Sequence, residues 1–79
     1  MPVQYRIAGD TASAIAASIE AGIRDGRLAS GATIPPVRTL ASTLHVSPST
    51  VAAAYRVLTT RGLLQSHGRR GTRVRPRPP

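Results

Sequence analysis

Apolar and polar positions divide the chain into segments of different period. Met1 to Gly9 alternates Val3, Tyr5 and Ile7 against Gln4, Arg6 and Ala8, which suits a short extended arm over residues 1–9. From Asp10 the period changes: Ala12, Ile15, Ala16, Ile19 and Ile23 recur at three- and four-residue steps, the spacing of one helical face. This predicts a helix over about 11–25, with Asp10 able to cap its amino end and Gly26 placed for a left-handed stop. Leu28 to Pro36, with Ser30, Gly31, Pro35 and Pro36, reads as a connection in which Thr33 and Ile34 can form a short edge strand.

Val37, Leu40, Ala41 and Leu44 follow an i, i+3, i+4, i+7 stripe, and Pro36 is tolerated in a first turn because its missing N–H is no loss there. A two-turn helix is expected. Ser47 then offers a cap hydroxyl, Pro48 follows it, and Val51, Ala54, Tyr55 and Leu58 repeat the stripe towards Gly62, so a further helix spans about 48–61. Only His45 and Val46 separate Leu44 from Ser47, which makes the pair a helix-turn-helix whose members meet at a steep angle. Leu63–Ser66 and Thr72–Arg75 can pair as a β-hairpin around His67-Gly68-Arg69-Arg70-Gly71. Pro76-Arg77-Pro78-Pro79 reads as an extended, polyproline-like linker. The expected architecture is mainly α with a small β wing, three helices plus a hairpin. The domain would occupy residues 10–75, between the arm at 1–9 and the start of a linker at 76–79.

Composition narrows what such a domain can do. Seventy-nine residues allow one small domain, and without cysteine it has neither disulfides nor a thiolate metal site to reinforce it. Eleven basic residues, every one an arginine, against three acids give a net charge of +8. The acids are Asp10, Glu20 and Asp25, so from Gly26 onward nine arginines stand without a carboxylate in the sequence. Such asymmetry points to a polyanionic partner, because phosphate backbones release condensed cations when arginines replace them. No apolar run reaches the ~18 residues of a membrane span, and no signal peptide is visible, so a cytoplasmic location is expected.

Several strings carry a family resemblance: Gly31-x-x-Ile34-Pro35-x-x-Arg38-x-Leu40-Ala41, Leu44-x-Val46-Ser47-x-x-Thr50-Val51, Leu58, Gly62-Leu63, and Gly68-x-x-Gly71-Thr72-x-Val74. Together they resemble the winged helix-turn-helix DNA-binding domain of the GntR family over nearly the whole chain. Pro35-Pro36-Val37-Arg38, Ser47 through Arg56, and Gly68-Arg69-Arg70-Gly71-Thr72 look most like its MocR branch. In that branch the domain precedes an aminotransferase-like domain that binds pyridoxal phosphate. The chain departs from the family pattern in places. His45 stands where a turn glycine is usual, which predicts a histidine with positive φ. Pro36 replaces a frequent capping serine, so the middle helix should start with one fewer satisfied donor. Pro48 and Ala52 stand where many relatives carry basic residues.

The resemblance implies sequence-specific binding of double-stranded DNA by a transcriptional regulator's DNA-binding head. The second helix of a helix-turn-helix enters the major groove amino end first, which selects Ser47, Pro48, Ser49, Thr50 and Ala53. Serine and threonine hydroxyls are tolerant base readers, and Ala53 can press on a thymine methyl. Arg38, off the apolar stripe of its helix, is the leading candidate for a bidentate contact to phosphate or guanine, with Thr39 beside it. His67, Gly68, Arg69 and Arg70 form a wing tip suited to a narrow minor groove, while Thr72, Arg73 and Arg56 lie where backbone phosphate could be met. Arg73, Arg75 and Arg77 share one face while the strand lasts. Arg61 could touch phosphate or stand as a solvated charge. Tyr55 falls on the buried stripe and reads as a core anchor with its hydroxyl at the edge.

The main alternative is a winged-helix protein-interaction module that turns its basic face to an acidic partner. An enzyme is not expected, since Cys and Lys are absent and no Ser/His/acid constellation or phosphate-cradling glycine loop occurs. His45 and His67, twenty-two residues apart, fall short of the ligands zinc needs. No cofactor is expected in this chain, and pyridoxal phosphate would belong only to a further C-terminal domain. Homodimerisation is likewise expected only through regions outside these residues.

Overall fold

The computed structural model describes residues 7–66 and 71–75. Helix α1 spans Ala12–Arg24 and buries Ile15, Ala16, Ile19 and Gly22, the face that the three- and four-residue spacing selects. Its cap is Thr11, not the expected Asp10: Thr11 is extended (φ −129°, ψ 161°) and its hydroxyl accepts from the Ala14 N–H at 3.1 Å. Asp10 lies one residue too early to occupy that position. Gly26, with φ +77°, supplies the left-handed stop after the Asp25 cap.

Strand β1 is Thr33–Ile34 and helix α2 is Val37–Leu44. Pro36 is the residue before α2 rather than a member of its first turn, and no side chain caps this amino end. His45 ends α2 in the left-handed region at φ 58°, ψ 42°. The His45 N–H donates to Ser42 at 3.3 Å and the Val46 N–H to Ala41 at 3.0 Å, so the turn closes as a Schellman motif around a residue that carries a Cβ. Helix α3 follows at Pro48–Thr60.

Strands β2 (Leu64–Ser66) and β3 (Thr72–Val74) are each one residue shorter than the pattern suggests. They join β1 in an antiparallel sheet of order β1-β3-β2, with Thr33 and Gln65 both opposite Arg73. The expected edge strand and hairpin are therefore one sheet, with β1 at its edge. The hairpin tip at 67–70, the start of the arm at 1–6 and the segment 76–79 lie outside the described residues.

Helix α3 is the hub: α1 and α2 both pack against it, and β2 approaches it from the sheet. Ile15 and Ile19 from α1, Ile34 from β1, and Val51 and Leu58 from α3 are fully enclosed, with Leu64 and Val74 closing the sheet side. Each such side chain contributes roughly 1.5–3 kcal/mol relative to exposure. Ile7 joins the same cluster, held beside α1 by a 3.0 Å bond from the Ala8 N–H to the Ser18 hydroxyl. No helix among the described residues is long and apolar enough to cross a membrane.

His45→Gly should stabilise the domain, because it removes a Cβ from a left-handed position that costs an L-residue about 1 kcal/mol. Thermal unfolding is expected to shift upward by roughly 4–8 °C, the scaling for a domain of this size. An unchanged or lower midpoint would show that His45 makes a compensating interaction.

Candidate nucleic-acid interface

The basic and acidic groups of the chain occupy different elements. Asp10 precedes α1, Glu20 lies within it and Asp25 closes it, so no carboxylate side chain is carried by α2, α3 or the sheet. Glu20 is further occupied by two arginines, accepting from Arg24 and from Arg61, each at 3.2 Å. Arg61 is thus tied to α1 from a position 41 residues later, a pairing the sequence does not disclose. Both pairs are at the surface, where such contacts contribute little stability, but they remove the central carboxylate from competition for the other arginines. Among the described residues no carboxylate side chain pairs with Arg38, Arg56 or Arg73, and all three are exposed.

The amino ends of α2 and α3 contain no acid in their first turns, and Arg38 belongs to the first of them. Arg38 is the second residue of α2 and Thr39 the third. Both are exposed, and the first turn contains no acid. The Thr39 carbonyl accepts from the Thr43 hydroxyl at 2.9 Å. The start of α3 is similar, with Pro48 at its first position and no acid in the first turn. Unfilled N–H groups and the positive end of the helix dipole favour anions at such sites.

Ser47 holds the cap position of α3, yet its hydroxyl does not cap. It lies 3.1 Å from the Ser49 hydroxyl and 2.9 Å from that of Thr50, so the three form a polar cluster at the mouth of the helix. The Ser47 carbonyl, not its side chain, takes the Thr50 N–H at 3.0 Å. Ser47, Pro48 and Ser49 are exposed, while Thr50 and Ala53 are half-buried. Thr72 is half-buried opposite Ile34 and Ser66, and Arg73 is exposed on the central strand. Arg75 lies one residue past β3, exposed, and Arg77 lies outside the described residues. His67, Gly68, Arg69 and Arg70, the expected wing tip, also lie outside them.

Tyr55 is the site's hidden support. Its ring is 6% exposed within the core, and its hydroxyl donates to the Pro35 carbonyl at 2.6 Å, twenty residues back in the chain. Burial pushes its phenol well above the usual tyrosine range, so it is the protonated donor at any physiological pH. Sequence periodicity puts the ring in the core, but it does not name the hydroxyl's partner. Among the described residues no group of three or more His, Asp or Glu is placed to hold a metal ion.

Comparison with known proteins bears on the family and the fold. Residues 11–74 match the family model described as bacterial regulatory proteins, gntR family. Over 72 residues the chain is 50% identical to the vitamin B6 salvage pathway transcriptional repressor PtsJ of Salmonella typhimurium, covering 91% of this chain and 17% of that protein. The fold is similar to that of YtrA from Sulfolobus acidocaldarius, a GntR-family transcription factor, with a TM-score of 0.80 and 30% identity over 96% of this chain and 84% of that one. It also resembles the DNA-binding domain of AraR in complex with operator ORX1, with a TM-score of 0.76 and 28% identity over 80% and 76% of the two chains. The three helices with a small antiparallel sheet are thus the winged helix-turn-helix that the motifs imply.

The capping assignments can be checked directly. Thr11→Ala should cost about 1 kcal/mol in chemical denaturation, as loss of a bonded cap does, whereas Ser47→Ala should change stability by less than about 0.5 kcal/mol. Equal losses at the two positions would mean that Ser47 caps α3 in solution.

Proposed function

The chain belongs to the gntR family of bacterial regulatory proteins, and we propose that it binds a specific double-stranded DNA operator as the DNA-binding head of a cytoplasmic transcriptional regulator. The observation that carries this reading is the segregation of charge. All three acids lie on or beside α1, while Arg38, Arg56 and Arg73 and two uncompensated helix amino ends belong to the other elements. A domain so arranged leaves exposed arginines on α2, α3 and β3 without carboxylate partners among the described residues, and affinity for a polyanion follows from the counterions that such arginines displace. AraR, the structural relative seen with its operator, supports duplex DNA as that polyanion.

In this reading the amino end of α3 enters the major groove. Ser47, Ser49 and Thr50 would meet base edges or phosphate through hydroxyls that are at once donors and acceptors, and Ala53 would lie against a thymine methyl. Arg38 brings a planar fork that can grip guanine or phosphate in two places, flanked by Thr39. Arg56, Thr72 and Arg73 would fix register on the backbone without reading sequence. His67, Gly68, Arg69 and Arg70 have the composition of a wing tip that enters the minor groove.

The chain spans 17% of its Salmonella relative, so the activity of a longer protein is part of the proposal. The MocR-like reading, in which a pyridoxal-phosphate-binding domain follows, is supported by 50% identity with a repressor named for vitamin B6 salvage. The 79 residues themselves do not fit that cofactor as a covalent ligand, since none is lysine. Homodimerisation through such a further region belongs to the same proposal.

Fluorescence anisotropy with a duplex enriched from a random pool tests the reading. Affinity should fall steeply with salt, and a scrambled duplex should compete poorly. Arg38→Ala should weaken binding to the enriched duplex by ~1–3 kcal/mol. An acidic polypeptide that competes as well as the enriched duplex, or Arg38→Ala without effect, would favour a protein-interaction module instead.

A further inference from the structure

The segment between β1 and α2 reads Ile34-Pro35-Pro36-Val37, so two successive residues have no backbone N–H. A stretch of that kind cannot be anchored through its own donors. It can be held only through its carbonyls, and Tyr55 of α3 supplies the donor, its hydroxyl 2.6 Å from the Pro35 oxygen. On its other side the same stretch continues into β1, which is laced to β3 of the wing: the Gly31 N–H donates to Val74 and the Val74 N–H to Ala32, both at 2.9 Å. Ile34 and Thr72, and Thr33 and Arg73, are cross-strand partners. Residues 31–35 thus form a strap between the wing and α3, and Arg38 lies three residues beyond its Tyr55 anchor.

Few torsions separate anchor and arginine. Pro36 is locked at φ −57°, and the α2 helix begins at Val37. Leu40 and Ala41 pack the body of α2 into the core, and at its amino end, where no side chain caps the helix, the tie to α3 is the Tyr55 hydroxyl, which α3 itself carries.

We propose that Tyr55 is a positioning residue for DNA recognition, its hydroxyl fixing Arg38 in register with the amino end of α3. This rests on the operator-binding reading above. Tyr55 need touch no DNA. Its ring fills the core and its hydroxyl transmits geometry, so the two roles separate in Tyr55→Phe, which keeps the ring and removes the bond.

The test compares wild type, Tyr55→Phe, Arg38→Ala and the double variant on two duplexes, one enriched from a random pool by the wild-type chain and one scrambled. Tyr55→Phe should keep the wild-type circular dichroism spectrum and bind the scrambled duplex at low salt within about twofold of wild type. Its affinity for the enriched duplex should fall on the order of tenfold, as for a lost buried hydrogen bond that orients a contact. Added to Arg38→Ala, it should cost less than about twofold more, because both changes remove the same contact. A merely structural tyrosine would weaken both duplexes alike and add in full to Arg38→Ala. Either that pattern or undiminished binding of the enriched duplex overturns the positioning role alone. Failure of the wild type to discriminate the two duplexes overturns the operator-binding reading, and this proposal with it.

Discussion

The hydrogen bond from the Tyr55 hydroxyl to the Pro35 carbonyl ties α3 to the segment before α2, where two successive prolines leave the backbone without N–H donors of its own. With prolines at 35 and 36, the chain enters α2 without a donor of its own, and the α2 amino end has no side-chain cap. What fixes α2 is therefore tertiary: Leu40 and Ala41 buried beneath it, the β1–β3 pairing before it, and one phenolic hydroxyl beside it. An unpaired buried hydroxyl is costly, so the same bond that holds the strap also satisfies Tyr55.

The architecture separates stability from charge. Burial is concentrated where α1, α3 and the sheet meet, with isoleucine, leucine and valine enclosed and no polar or charged residue buried among those described. Arginines are left at the periphery of α2, α3 and β3, and the acids gather around α1. Glu20 draws Arg24 and Arg61 to itself, so among the described residues the surface ion pairs involve neither Arg38 nor the start of α3. A fold stabilised by its apolar core can leave arginines unpaired elsewhere, and these supply the attraction for phosphate.

Much of this was legible in the chain. The helical period locates α1, α2 and α3 within a residue or so, the Thr33–Ile34 edge strand is visible beside its prolines, and the glycine usual at the turn position in the family announces the left-handed region that His45 occupies at φ 58°. What escaped were choices made in three dimensions. Asp10 and Thr11 are adjacent potential caps, and only the path of the backbone selects Thr11. Ser47 occupies a cap position, yet neighbouring hydroxyls at 49 and 50 take its side chain. Arg61 meets Glu20 across 41 residues and Tyr55 meets Pro35 across 20, and neither pairing has a local period to announce it. The candidate contact residues follow from resemblance and helix register, and the fold places those it describes on α2, at the start of α3, at Arg56 farther along α3, and on the central strand.

The proposed DNA-contacting surface is formed by those elements and not by the groove between α1 and α3, lined by Ala12, Ala16, Ala17, Glu20, Val57 and Arg61. Amide chemical-shift mapping by NMR during titration with an enriched duplex tests this most directly. Perturbations should concentrate at Arg38 and Thr39, from Ser49 through Ala53, and at Thr72 and Arg73. Perturbations concentrated along Ala12 to Glu20 and Val57 to Arg61, with the start of α3 unmoved, would contradict it.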